Sequence, residues 1–337
     1  MPANVPMFID QAADLYDPSI QKMFLKMAKD DATMYQEYFN VETGVEDLIR
    51  KDSSLSGLGE ADFVGAENGV IPGDSPVQGF DKSYTQEMVG VLMAFTWKDW
   101  KFGIQKRKME SVVKELRAAV IRKRERLCAE RLNNAFATSY AASGINGTRT
   151  ITTTGGDGLA AASASHTRED GGANWSNIVT DSSGTVNVPF DYSGVKSAHR
   201  TAANIPDPKG NPMMLNLDTL VCVNGSQTYF KAQEILGAIK KNLIPQSFNH
   251  DSAAVLPFKV IALPPQYVSN TEFWGMFDSK LKGNEYGFQF LESESIMLDP
   301  VNIVYKTKEL QYTSHTAFDL GHNDPRNWVF SKSTSAA

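Results

Sequence analysis

Between Gly103 and Gly144 the chain carries neither Gly nor Pro. Met109, Val112, Val113, Leu116, Val120, Leu127 and Leu132 recur there at three- and four-residue steps, which predicts one long helix over about 100–138. Thr96 and Asp99 offer its start signals. At the α-helical rise such a rod is on the order of 50 Å long. From Lys101 to Phe136 it holds eleven Lys and Arg against four Glu, a local net of +7 in a chain of net −6, so the remainder carries −13. Ahead of the rod, Gly57, Gly59, Gly65, Gly69, Pro72, Gly73, Pro76 and Gly79 set a turn density that no helix tolerates. Tyr84 to Trp97 then reads as a strand, so residues 55–95 are expected to form a long two-stranded excursion turning near Glu67–Val77. A hairpin of that length is not stable alone in water. A chain that spends its first 140 residues on projections and a rod is built to touch neighbours.

The remainder reads as mixed structure. A short helix from Ser19 to about Ala28, introduced by Asp17-Pro18, places Ile20, Met23, Phe24 and Met27 on one face, and another subunit is the expected surface for it to lie on. Residues 139–189, rich in Gly, Ser, Thr and Ala, are expected to form a long, weakly structured loop. Helices follow over Tyr192–Asn204, stopped by Pro206, and Ser226–Leu236, closed by Gly237. Strands fit Thr219–Val223, Phe258–Leu263, Phe273–Phe277, Tyr286–Leu291, Ile303–Thr313 and Trp328–Ser331, which makes the class α+β rather than a doubly wound sheet.

Composition narrows the function. At 42% apolar and 21% charged the chain is a folded globular class, and an overall acidic balance argues against a general nucleic-acid binder. Cys128 and Cys222 are read as reduced, small apolar residues of a cytoplasmic assembly site. The beginning of the chain lacks a signal-peptide pattern, and Val89–Phe95 is too short an apolar run to span a bilayer, so a soluble protein is expected. His166, Glu169 and Asp170 lie close together, but a Gly-flanked loop offers little fixed geometry for a metal. Ser163 or Ser165 beside His166 is no nucleophile–base pair, and Gly155-Gly156-Asp157-Gly158 lacks the Lys of a phosphate loop. No catalytic residue, cofactor or metal is expected, and no enzyme.

Several stretches resemble the tailed-bacteriophage major capsid proteins of the Hong Kong 97 fold. They are Leu58 to Ala61, Gln78 to Tyr84, Phe95 to Asp99 with the long helix after it, Ser163 to Thr167, Gly171 to Asn177, and Phe318 to Asn327. The resemblance is spread over nearly the whole chain and lies in the order of parts. It implies an N-arm over 1–54, an extended loop reaching a neighbour over 55–95, and a peripheral domain with spine helix over 96–189. An axial domain over 190–295 and a return to the peripheral domain over 296–337 would follow. It implies self-assembly into pentamers and hexamers, with a separate scaffolding protein, a portal, a possible cement protein and packaged double-stranded DNA as partners. The protein would reside in the virion after assembly in the host cytoplasm, with no membrane involved. An encapsulin-type nanocompartment subunit enclosing an enzyme cargo is the alternative, disfavoured by residues 1–54.

Three groups of residues then have expected places. Val64, Val70, Ile71, Val77 and Phe80 would pack between subunits, because a thin arm has no core of its own. Lys106, Lys114, Arg117 and Arg124 would face either DNA or acidic surfaces of neighbours and solvent. Lys240, Pro245 and His250, within 240–254, would lie in the loop at the capsomer axis. Some relatives of that family link a loop Lys to a neighbour's Asn, but the positions of Lys82, Asn323 and Asn327 do not match well enough to carry this over.

Overall fold

The structure, a computed structural model, describes residues 33–64, 78–96, 106–144, 146–241, 257–283 and 286–332, with positions 24, 69, 71, 73–76 and 98; over 106–113 and 238–241 it describes the backbone. In chain order the elements are α1 (Tyr35–Tyr38), β1 (Asn40–Thr43), β2 (Ile49–Leu55), β3 (Gln78–Thr85), β4 (Glu87–Phe95) and α2 (Lys106–Asn133). After these come β5 (Ser139–Gly144), β6 (Gly147–Thr152), α3 (Tyr192–Ala203), β7 (Thr219–Val223), α4 (Gln227–Lys241), β8 (Lys259–Leu263) and β9 (Phe273–Phe277). The chain closes with β10 (Phe288–Leu298), β11 (Asn302–Val304), β12 (Glu309–His322) and β13 (Trp328–Lys332). None of the described helices is long and apolar enough to cross a membrane.

Two sheets organise the body. In the first, β12 is the long central strand, with β10 and β11 antiparallel on one side and β4 antiparallel on the other, while β1 runs parallel to β10. Along β12, Leu310, Tyr312, Ser314, Thr316 and Phe318 are buried as a period-two face that receives α2. The second sheet has the order β13-β9-β7-β8. Its strands alternate between two cores. Leu220, Cys222, Trp274, Met276 and Val329 join Val195, Ala198 and Ala202 of α3. Val221, Val223, Phe273, Phe277, Trp328 and Phe330 join Leu127, Cys128 and Leu132 of α2 with Phe288, Phe290 and Phe318 of the first sheet. Burial on both faces explains why these strands read as unbroken apolar runs.

Several sequence expectations need correction. The two-stranded excursion pairs β2 with β3, from Ile49 opposite Thr85 to Leu55 opposite Gln78. Tyr84–Trp97 is therefore not one strand: the chain turns at the buried Gln86, and β4 leaves the arm to pair with β12. Residues 139–189 are no loose loop. They contain the β5–β6 hairpin, and Ala160, Ala161, Ala162, Trp175, Asn177, Val179 and Val188 are buried. Gly237 does not close α4, which continues to Lys241. Ile303–Thr313 divides into β11 and the start of β12 around Lys308, whose φ of 58° makes the turn. Of Ser19–Ala28 only Phe24 lies among the described residues, and it is buried with Phe95, Leu116 and Tyr312 of its own chain; the rest of that expected helix lies outside the described residues.

Candidate assembly surfaces and their anchors

The arm departs from a well-anchored base. Tyr84 is buried with Val45 and Leu291, and Gly321 lies beneath its ring so closely that a Cβ there would meet Tyr84 Cε1 at 2.7 Å. Thr85 donates its N–H to Asp319 Oδ2 at 2.8 Å, Asn323 Nδ2 donates to the Phe80 carbonyl at 3.2 Å, and Lys82 Nζ donates to the Thr154 carbonyl at 2.8 Å. Burial, reinforced by nearby Arg131, lowers the pKa of the Lys82 ammonium. Beyond the base the described large apolar residues are exposed. Phe63 is 97% exposed, and Leu55, Leu58, Val64 and Ile71 are exposed as well. Phe80 is half-buried at the base, and Val70 and Val77 fall outside the described residues. Phe63, the most exposed of the set, was missed in the sequence because a lone aromatic among glycines carries no periodicity.

The basic helix divides its charges by face. Arg117, Arg124 and Arg131 stand seven residues apart and are all buried, whereas Lys114, Arg122 and Arg126 are exposed. The Arg117 guanidinium lies 4.9 Å from the ring centre of Phe24. Arg124 bonds Glu292 and Thr316, reaches Tyr35 Oη at 3.4 Å, and lies near the rings of Phe290 and Phe318 at 5.6 and 5.5 Å. Arg131 Nη1 donates to the Thr152 carbonyl at 2.6 Å, and its Nη2 lies 3.4 Å from His322 Nδ1. Arg117 and Arg124 are thus turned into their own chain instead of standing on the exposed side of the helix: Arg124 packs on the aromatic face of the first sheet and Arg117 on Phe24. Lys114 is exposed, and the Lys106 side chain is outside the described residues. Arg131 had a legible signal, the seven-residue spacing within an apolar stripe.

A third anchor closes the molecule. Arg326 is buried against Asp324 and Glu169, with Nη2–Oε2 at 2.7 Å and Nη1–Oε1 at 3.1 Å to Glu169, and it lies 5.2 Å from the Trp175 ring. His166 stacks on the same indole at 4.4 Å and meets Asp157 Oδ2 through Nδ1 at 2.6 Å. Asp170 turns instead to Arg168. His166, Glu169 and Asp170 therefore diverge to three partners and do not converge on one ligand position. Cys128 and Cys222 are free and buried, and burial pushes both thiols up, Cys222 to about 12. Lys240 lies in the last turn of α4, while Pro245 and His250 fall outside the described residues.

No protein-family model and no curated protein sequence matches the chain. Solved structures do. That of Mycobacterium phage Bobi is 13% identical, with 91% of this chain and 92% of that one covered at a TM-score of 0.52. That of Microbacterium phage Oxtober96 is 9% identical, with 90% and 91% covered at 0.52. The capsid structure of cyanophage P-SCSP1u is 10% identical, with 90% and 89% covered, also at 0.52. The chain has a tailed-phage capsid fold. At such low identity the likeness is carried by shape rather than by residues. The likeness runs along almost the full length of both chains.

Proposed function

We propose that this chain is the major capsid protein of a tailed phage, assembling as pentamers and hexamers into the icosahedral head that encloses double-stranded DNA. The observation that carries the reading is the arm: a two-stranded projection on a capsid fold, with Phe63, Val64, Leu58 and Ile71 exposed beyond any core of its own. Residues 1–54 would serve as an N-arm, 55–95 as the intersubunit loop, 96–189 and 296–337 as the peripheral domain, and 190–295 as the axial domain. The role is mechanical. Fully burying one such side chain contributes about 1.5–3 kcal/mol. No single contact outweighs the cost of immobilising a subunit, which is about 4–15 kcal/mol, so many copies must engage on several sides at once. Folding and assembly are then coupled by mass action.

Contact with DNA in this reading is non-specific and limited. The buried arginines leave Lys114, Arg122 and Arg126 on the exposed side of α2, and Arg122 already pairs with Glu115 at 3.2 Å. A scaffolding protein, a portal and a cement protein are the further partners this role calls for.

Electron microscopy of the protein expressed alone and released by gentle lysis tests the proposal. Uniform icosahedral shells, or capsomers that close into shells when a scaffolding partner is added, are expected. Particles that protect nuclease-resistant DNA in infected cells would support the phage head. Shells filled with an enzyme would overturn that in favour of a nanocompartment, and a monomer that never assembles would overturn both.

A further inference from the structure

The outer part of the arm is anionic. Between Ser53 and Asp81 it carries Glu60, Asp62, Glu67, Asp74 and Asp81, with no Lys, Arg or His. Its described end is fastened to the body of the same chain. Lys209 Nζ donates to Asp74 Oδ1 at 2.8 Å and to the Ser75 carbonyl at 2.8 Å. The other oxygen of Asp74 accepts the N–H of Gly59 at 2.6 Å, which ties the two legs of the arm together at the point where Lys209 holds it.

The loop that presents Lys209 is built in advance of the contact. Asp207 accepts from the N–H groups of Lys209 and Asn211 at 2.9 and 2.7 Å and from the Asn211 amide at 3.0 Å, and Pro206 bridges to Pro212. Gly210, with φ of 94°, leaves room for Arg168, whose Cζ would lie 2.8 Å from a Cβ there. Arg168 is in turn held by Asp170. The Lys209 side chain is only 15% exposed, low for a residue that prefers water. Meanwhile Phe63, Val64 and Ile71 remain exposed, so the contact with the body is polar rather than apolar.

We infer that the arm is latched in cis: in the unassembled subunit Lys209 holds the end of the arm through Asp74 and Ser75, and the latch opens when the arm passes to a neighbouring copy. This rests on the shell-subunit reading above. A partly exposed ion pair is a weak interaction, enough to bias the arm's position and weak enough for a neighbour's apolar contacts to displace. Holding the arm back also keeps its open strand edges from pairing out of turn. The bond to Lys209, with the N–H groups of Gly59 and Ser75, draws the Asp74 carboxyl down to about 2. It stays charged through neutral and mildly acidic pH, so ionic strength rather than acid loosens the latch.

The test places one cysteine at the contact, Ser75→Cys in the full chain with Lys209 retained, and joins it to the Lys209 amine with a short, thiol-cleavable linker that reacts with an amine at one end and a thiol at the other. Cys128 and Cys222 are fully buried and stay unlabelled. The expected product has the mass of one subunit with residues 75 and 209 linked, does not enter shells, and regains assembly once the linker is cleaved. A link found only between two subunits, or linked subunits that assemble as well as cleaved ones, would overturn the latch. Lys209→Gln gives a second readout without cross-linker: faster proteolysis within 57–76 and a shorter assembly lag at low salt, both differences vanishing by roughly 0.5 M salt. Unchanged cleavage and lag would also overturn it. If the unmodified chain makes no shells with or without scaffolding, the capsid reading fails, while the mass of the linked species still decides whether the contact forms in cis.

Discussion

Arg117, Arg124 and Arg131 fall on one face of α2 because seven residues bring a helix almost two full turns round, about 20° short of registry. Arg124 neutralises Glu292 where both side chains are nearly fully enclosed. Arg124→Ala is therefore expected to cost about 3–5 kcal/mol in urea unfolding of the unassembled subunit, because it strands a buried carboxylate. The double variant Arg124→Met with Glu292→Leu should recover most of that loss. A cost below about 1 kcal/mol for the single change would show the pair to be incidental. His322 supplies a second prediction. Burial, followed by repulsion from Arg131, Lys82 and His166, holds its imidazole well below the ordinary histidine range. The folded chain keeps it neutral where the unfolded chain takes up a proton, so its stability is fully present above about pH 6.5 and declines as the pH falls below that. His322→Gln, measured by urea midpoints at pH 7.5 and 5.5, should flatten the acid slope by up to about 1.4 kcal/mol per pH unit.

Among the elements, the β2–β3 arm depends on a close approach at Gly79, where a Cβ would come within 2.9 Å of the Ser54 carbonyl oxygen and 3.0 Å of its Cβ. Because the neighbour it would meet is partly backbone, Gly79→Ala has to displace one strand of the arm. Shell yield is expected to fall sharply while the thermal midpoint of the subunit moves by only a few degrees, since the arm adds little to either core. Equal yields from variant and native chain would argue that the arm does not govern assembly. The helix α3 and the strands β7, β9 and β13 were legible almost to their ends, because each has a purely local signature: Asp191 caps α3 through the N–H of Gly194, and the strands are short apolar runs between turns. The allegiance of β4 was not legible. Its partner β12 lies more than two hundred residues away, and nothing in residues 84–97 distinguishes pairing with β3 from pairing with β12.

At the scale of the molecule, two sheets share one aromatic core while the arm stays outside both. Phe63→Ser with Ile71→Ser should therefore leave the unassembled subunit within about 0.5 kcal/mol of native stability, as for other surface substitutions. Assembled shells of the same variant should dissociate at a markedly lower urea concentration, read by light scattering. Shells as resistant as native ones would place the intersubunit contacts elsewhere on the body. The same layout shows why the weakly polar segment 153–190 misleads a sequence reader. Its small residues pack beneath β13 and its polar residues fold inward on one another, as Asn177 does in bonding Ala161 and Ser163 and pairing with Phe330.

The sequence by itself determined the long basic helix, the turn-dense arm ahead of it, the mixed class and the order of the parts, because helix period, glycine density and short apolar runs act over a few neighbouring residues. Only the tertiary structure decided which arginines lie inside, which sheet owns β4, where His166 and Glu169 find their partners, and that Lys209 holds Asp74. Each of these depends on a charge or strand edge meeting its complement from a distant part of the chain. Burial then sets the outcome: the same guanidinium is a solvated surface charge at Arg122 and an internal brace at Arg124, two residues further along the helix.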